Sequence, residues 1–337
     1  MPFDPAPSPF GRPATRLARF FGRFFHGTPS GGSLGAFQLR SELALLKNSV
    51  ARLNSEFGRR DVKSVKDLVG TVTRRDFEAA VRERIHTVHL PDGTVLCRIL
   101  GRYKMYVDAA DHAVAPHLML EGYWQYWVTA FICRNLNRGE TAYDLEAGYG
   151  YYTLLLSELV GPEGRVVALE FNPWLHTLLR RNLALNGRDS QVVCHRLVAA
   201  KQAVAALEMP ASLLGPVQAP NAAIFQRRGS QRSCVAPAMT LDGLEPDSAD
   251  FIHISATLLE QGVLEGMAGL IQRSPSLRIL LEFDAKRCRD PEKTLALLEA
   301  RYPLRFIDSD SYAKPISREA ILAGPTLTLF LSKLEPA

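Results

Sequence analysis

The chain has 337 residues, 47% hydrophobic and 22% charged, a globular composition long enough for one large α/β domain with an appendage. Its net charge is +5 and its pI about 9.0, but the excess sits early, where Arg12, Arg16, Arg19 and Arg23 precede any acid except Asp4. With the remainder nearly balanced and no basic stripe interleaved with aromatics, a nucleic-acid partner is not expected.

The five cysteines, Cys97, Cys133, Cys194, Cys234 and Cys288, are odd in number, far apart and without a Cys-x-x-Cys pair. They read as reduced thiols, with neither a disulfide framework nor a metal site expected. No apolar run approaches the roughly 20 residues that span a bilayer. Residues 1–35 are too broken by Arg, Gly and Pro for a signal peptide. The expected location is cytoplasmic, with peripheral attachment at the inner membrane face as an option.

In chain order, residues 1–13 are Pro-rich and read as disordered, and 15–26 read as one short helix. At about 100° per residue, Leu17, Phe20, Phe21, Phe24 and Phe25 fall on one side and the early arginines on the other. Such a helix either lies in the headgroups of an anionic membrane or docks its phenylalanines on the chain's own domain or a partner. Residues 27–35 form a Gly/Ser joint, which closes a first segment at 1–35. A helical segment follows at 36–82. Leu39, Leu43, Leu46, Val50, Leu53 and Phe57 follow an a/d spacing, continued out of phase by Val62, Val65, Val69 and Val72. Residues 38–72 are thus either a coiled coil that makes a homo-oligomer or an amphipathic helix packed on the catalytic domain.

The main domain is expected over 83–337. A β cap opens it at 87–108, where Pro91-Asp92-Gly93 joins two strands and 103–107 adds a third. Strands then follow at 141–145, 165–170, 191–198, 250–255, 277–283, 304–308 and 326–331, with helices at 151–160, 173–186, 259–273 and 291–301 between them. That alternation predicts an α/β fold with a doubly wound, mostly parallel, seven-stranded Rossmann-like sheet. In the insertion at 203–247 no strands are assigned.

Residues 143–186 read as a nucleotide-type βαβ unit. The turn Asp144-Leu145-Glu146-Ala147-Gly148-Tyr149-Gly150 approaches Asp-x-Gly-x-Gly-x-Gly with Glu146 in place of the first glycine, and Glu170 closes the second strand. The Gly-x-Gly-x-x-Gly spacing of nicotinamide enzymes is not met, and the pattern suits S-adenosylmethionine. The surroundings are more specific. Leu120-Glu121-Gly122-Tyr123-Trp124, Gly150-Tyr151-Tyr152-Thr153, Val160-Gly161-Pro162-Glu163-Gly164-Arg165-Val166, Asn172-Pro173 and Asn182-Leu183-Ala184-Leu185-Asn186 resemble the FkbM family of methyltransferases over roughly 85–332. The resemblance implies a class I methyltransferase fold, S-adenosylmethionine as methyl donor and a hydroxyl acceptor on a glycan, polyketide or lipid-like molecule. The chain departs from the family at Glu146, where members carry Gly, and at Gly148, where Asn is frequent. It departs again at 250–260, against the family segment Lys-Ile-Asp-Val-Glu-Gly-Ala-Glu. There His253 stands for Lys, Ser255 for Asp, Thr257 for the first Glu and Leu258 for Gly; Glu260 keeps its identity.

In an open parallel sheet, ligands sit beyond the carboxyl ends of strands where strand order reverses. That places Asp144, Glu146, Ala147, Gly148 and Gly150 at the methionine end and Glu170, supported by Asn172, at the ribose hydroxyls. Thr153 either donates to the cofactor carboxylate or caps its helix. His253 is the first candidate base, or a buried strand histidine. Glu282 and Asp284 are alternative bases, acceptor-binding groups or solvated loop acids. Tyr123, Trp124, Tyr126 and Trp127 form an aromatic lip for a sugar or pack a helix. Arg227, Arg228 and Arg232 bind an acidic acceptor or are ordinary loop arginines. The expected function is an S-adenosylmethionine-dependent O-methyltransferase acting on a small-molecule or glycan hydroxyl. The alternative is a degenerate methyltransferase fold serving as an oligomeric, membrane-associated scaffold, favoured by Glu146 and the altered segment from His253.

Overall fold

The computed structural model describes residues 64–70, 73–210, 226–228, 231–244, 246–255 and 260–337. The expected helix at 15–26 and the leucine seam as far as residue 63 lie outside them, as do residues 256–259. Helices α1 (Val65–Gly70) and α2 (Arg74–Arg82) come first. Thr73 starts α2 through a capping box, its hydroxyl accepting from Asp76 N at 3.3 Å while Asp76 accepts from Thr73 N at 3.2 Å. Val65, Leu68, Phe77 and Val81 are buried, and the Phe77 ring lies 5.5 Å from Tyr123 and 5.0 Å from Tyr126. The compact unit therefore begins at Val62, ahead of the expected boundary at 83, because α1 and α2 supply part of its core. Of the expected 38–72 seam, Val65 is buried and Val69 packs against the core of this unit.

Strands β1 (Thr87–His89), β2 (Thr94–Ile99) and β3 (Tyr103–Asp108) form an antiparallel cap sheet in the order β1-β2-β3. Helices α3 (Ala115–Leu120) and α4 (Tyr126–Asn135) lead into β4 (Thr141–Leu145), α5 (Tyr151–Val160), β5 (Arg165–Leu169), α6 (Pro173–Leu185) and β6 (Val192–His195). The strand expected over 191–198 is broken after His195. Its continuation, β7 (Val198–Ala199), leaves the main sheet and pairs with a second, smaller one. That sheet resolves the insertion: β8 (Val204–Pro210), β9 (Gln226–Arg228) and β10 (Gln231–Met239) assemble as β7-β10-β8 with β9 on β10.

The chain returns through β11 (Phe251–Ile254), α7 (Glu260–Gly266), α8 (Ala268–Arg273), β12 (Arg278–Phe283), α9 (Pro291–Glu299), β13 (Arg305–Ile307), β14 (Ala313–Pro315), α10 (Arg318–Ala323) and β15 (Leu327–Leu331). The main sheet has the order β14-β13-β15-β12-β11-β4-β5-β6. The pairs from β12 to β6 are parallel, whereas β15 lies antiparallel between β12 and β13. The seven expected strands are all present, and β14 adds an eighth at the edge.

Alternation along the strands sorts the core into two layers. Ala142, Phe251, Leu280 and Phe330 face α4, α5 and α6, where Phe131 meets Phe330 at 5.0 Å; Tyr143, Ile252, Ile279 and Leu329 face α7 to α10. Strand order reverses between β4 and β11, and ligands of open α/β sheets bind at the carboxyl ends of such strands. Among the described residues no helix is long and apolar enough to cross a membrane.

Candidate active site

The turn after β4 is built by backbone. Glu146, Gly148 and Gly150 have φ of +59°, +56° and +89°, so all three positions of the glycine pattern keep the left-handed conformation although one is a glutamate. The two glycines serve different ends. A Cβ on Gly150 would come within 2.5 Å of Leu179, so that glycine lets α6 pack; a Cβ on Gly148 would meet nothing within 4 Å, so that glycine borders open space. Ala147 N donates to Leu169 O at 2.9 Å, tying the turn to β5. Glu146 itself is half-buried on this turn.

Glu170, just past β5, is buried. Its Oε2 accepts from Gly148 N at 2.8 Å and its Oε1 from Asn172 N at 2.7 Å, so one carboxylate joins the glycine turn to the start of α6. Burial raises its carboxyl to about 7, and the charge of Asp144 adds to that, while the bonds from Asn172 and Gly148 oppose it. Asn172 caps α6 through Oδ1, which accepts from Trp174 N and Leu175 N at 2.9 and 3.2 Å.

Thr153 neither caps α5, whose cap is Gly150, nor reaches the surface. Its hydroxyl donates to Asp144 Oδ2 at 2.5 Å, and the other oxygen of Asp144 meets His253 Nδ1 at 2.9 Å. All three side chains are buried, and their contact follows from register, since β11 and β4 pair His253 with Asp144. The Tyr152 ring lies 4.1 Å from that of His253, and its hydroxyl donates to Gln125 Oε1 at 2.9 Å. Gln125 holds φ +39° at the start of α4, a strained backbone beside the cleft.

β12 sets Leu280 opposite His253, so Glu282 lies on the same face, two residues nearer the carboxyl edge. Burial, then the charges on Tyr151, Glu282 and Asp144, raise the Tyr152 phenol well above its usual range, which puts Glu282 beside the same ring. Asp284 is used differently. Its carboxylate accepts from Thr326 Oγ1 and Lys286 N, both at 2.9 Å, and these bonds, with Arg287 N, outweigh its desolvation and hold it below the usual range. It shapes the turn after β12. In the aromatic lip, Tyr123 and Tyr126 are buried against Phe77, while Trp124 and Trp127 are partly buried, Trp124 lying 5.1 Å from the His117 ring.

The structure thus unites Asp144, Thr153 and His253 in one network, with Glu282 on the same face. Around the turn it unites Glu146, Ala147, Gly148, Gly150, Glu170 and Asn172. It adds Tyr152 and Gln125, which sequence reasoning passed over; Tyr152 stood inside the Gly150-Tyr151-Tyr152-Thr153 motif, but only β11 packing shows that it covers His253. Asn182 and Asn186, quoted above within a motif, gain a physical role. Asn182 accepts from Tyr106 N at 2.7 Å and donates to Tyr106 O at 3.0 Å and Tyr149 O at 2.9 Å; Asn186 pairs likewise with Lys104 N and O at 3.0 and 2.7 Å. One helical turn apart, the two amides act as a strand partner for β3.

A central parallel order with an antiparallel strand, β15, inserted between β12 and β13 is the class I methyltransferase fold. Residues 104–200 match the family of protein-L-isoaspartate(D-aspartate) O-methyltransferases. That stretch is less than half the chain and covers β3 to β7 with the glycine turn. No curated protein matches. Solved structures similar to the chain include a TehB-like SAM-dependent methyltransferase from Corynebacterium glutamicum, 15% identical over 65% of this chain and 94% of that one, with a TM-score of 0.39. Others are a precorrin-6y C5,15-methyltransferase from Geobacter metallireducens (20% identity, 66% and 94% coverage, TM-score 0.37) and a SAM-dependent O-methyltransferase from Thermotoga maritima (13%, 76% and 88%, 0.36). The fold assignment rests on strand order, not on these overlaps.

Proposed function

We propose that residues 62–337 are an S-adenosylmethionine-dependent O-methyltransferase of the FkbM kind, acting on a hydroxyl of a small molecule or glycan. The observation that carries this reading is the turn after β4. Three left-handed positions at alternate residues precede α5, and a buried acid just past the neighbouring strand is bonded to the turn itself. The residues fit the cofactor. Gly148 borders open space, so a ligand can approach the backbone, and each oxygen of Glu170 keeps a lone pair after its backbone bond for a ribose hydroxyl.

When bound, S-adenosylmethionine supplies a methyl group on a sulfonium for displacement by a hydroxyl oxygen, a reaction that releases one proton. The chain's part is to orient the hydroxyl and take that proton. Asp144 accepts from His253 Nδ1–H, with its second oxygen occupied by Thr153, and this leaves Nε2 as the basic nitrogen. Glu282, nearer the edge on the same face, is the alternative proton acceptor. Trp124 and Trp127 offer partly open ring faces of the sort on which sugars stack.

Calorimetry with S-adenosylmethionine and S-adenosylhomocysteine tests the assignment. Saturable binding of both, weakened by Glu170→Ala, is expected; no heat at millimolar ligand would remove the enzyme reading. A second reading, a degenerate fold used as a scaffold, draws on Glu146, which brings a carboxylate to the turn where the family has glycine. It is favoured if the native chain binds neither ligand and Glu146→Gly restores binding.

A further inference from the structure

The amino edge of the main sheet, opposite the edge assigned to the cofactor, holds a cavity of about 410 Å³, within the roughly 300–1,000 Å³ of small-molecule sites. Three chain segments converge there. The last turn of α8 leads into the start of β12 and the end of α9 into the start of β13. Lys333 lies just past β15, whose Leu331 pairs with Ile279 at the entry of β12. Ala268, Ile271 and Ala300 form the apolar wall of the cavity, and Ile271 packs on the second core layer. Gln272, Arg301, Tyr302 and Lys333 form its polar wall, and among the described residues no acid lines it.

Tyr302 distinguishes this cavity from an ordinary surface hollow. The residue is 5% exposed, and its hydroxyl has no hydrogen-bond partner among the described residues. A buried phenol usually places its hydroxyl on a partner. This one is not among the sealed orphan atoms of the fold, so the surface it keeps lies in the cavity that its residue lines. Burial raises the phenol against the charge of Arg301, so at neutral pH it is a donor. Arg301 and Lys333 are exposed, and neither side chain is bonded or ion-paired among the described residues. The acids nearest in sequence are engaged elsewhere, Glu299 with Arg318 and Glu335 with Arg305. The backbone beneath the polar wall is fixed. Arg305 Nη2 donates to Ser332 O and Leu334 O at 2.6 and 3.0 Å, on either side of Lys333, and Ser332 Oγ donates to Leu277 O at 3.0 Å. Arg301 N and Tyr302 N both donate to Leu298 O, at 3.0 and 2.8 Å.

We propose that Gln272, Arg301, Tyr302 and Lys333 form a site for a small organic anion, a carboxylate or phosphate carried on a compact apolar body. The Tyr302 hydroxyl donates to one oxygen of the anion while Arg301 and Lys333 flank the others, an arrangement of charge-assisted donors suited to either head group. The apolar body lies against Ala268, Ile271 and Ala300. The site shares no residue with the cofactor assignment and lies at the other edge of the sheet, so either can fail alone.

The test is calorimetric titration of the full chain with benzoate and with phenyl phosphate. Benzyl alcohol, inorganic phosphate and sodium chloride at equal ionic strength serve as controls, and S-adenosylmethionine binding is measured on the same samples. Saturable binding of at least one aryl anion is expected, weakened about tenfold or more in Arg301→Ala/Lys333→Ala and about threefold or more in Tyr302→Phe, with S-adenosylmethionine affinity unchanged within about twofold. The tighter of the two anions identifies the head group. Heats from both aryl anions that match the chloride control, or a double variant or Tyr302→Phe that binds them like the native chain, would overturn the site. Benzyl alcohol binding as tightly as benzoate would overturn the anionic head group, and inorganic phosphate binding as tightly as either aryl anion would overturn the apolar body.

Discussion

The turn after β4 and the end of β11 lie on neighbouring strands, yet they are built in different ways. At the turn, Glu146 holds a backbone conformation that favours glycine, φ +59°. At β11, His253 makes its contact through the side chain, with Asp144 Oδ1 at 2.9 Å. A site defined by main-chain shape tolerates a change of residue at a cost in strain. A site defined by side-chain chemistry becomes a different site. Substitutions on the two strands test that contrast.

The largest effect is expected at Glu170. Replacement by Ala orphans Gly148 N and Asn172 N, at about 1–3 kcal/mol each, and should lower cofactor affinity at least about a hundredfold by calorimetry. Its carboxyl is raised from 4.5 to about 7, so the folded chain holds a proton that the unfolded chain releases. Stability therefore falls, by on the order of 3 kcal/mol, as pH rises between those values. Ribose hydroxyls donate to the charged form, so cofactor affinity should rise with pH and level off above about 7. Glu170→Gln removes both slopes; slopes equal to those of the native chain would show that Glu170 is not the group responsible.

Asp144→Asn comes next. It costs about 2–4 kcal/mol in urea unfolding by removing the charged partner of His253 and of Thr153, with little change in cofactor affinity if its task is to hold His253. Asn182→Ala leaves the backbone of Tyr106 and the carbonyl of Tyr149 without their amide partner and is expected to cost about 1–3 kcal/mol, seen as lost protection of β3 in hydrogen exchange. The smallest effect belongs to Glu146→Gly, stabilising by about 1 kcal/mol at most, because relief of left-handed strain is partly offset by the greater entropy of the unfolded chain. A loss of stability there would mean that the Glu146 side chain holds the turn.

The periodicity of apolar residues was sufficient for the seven main strands and the helices between them, because each buried strand or amphipathic helix announces its own face. β14 escaped because a three-residue edge containing Lys314 and Pro315 has no such pattern. The antiparallel pair of β8 and β10 escaped because alanine-rich strands gain their stability from each other, across a separation that no local signal spans. At the site, the turn and Glu170 were legible from residue type and spacing. Thr153 was not: its hydroxyl suited a cap equally well, and only the packing of α5 over β4 points it at Asp144. Gln125 and Tyr152 are joined through tertiary contact alone.

The amide of Asn182 is shared between the rim of the cap sheet and the main chain of Tyr149 in the glycine turn. That sharing makes the strand of the cap that faces α6 and the turn one mechanical part. A ligand that shifts the turn pulls on β3 through a single side chain, so its arrival is legible in the cap, in the amide signals of Tyr106 and its neighbours.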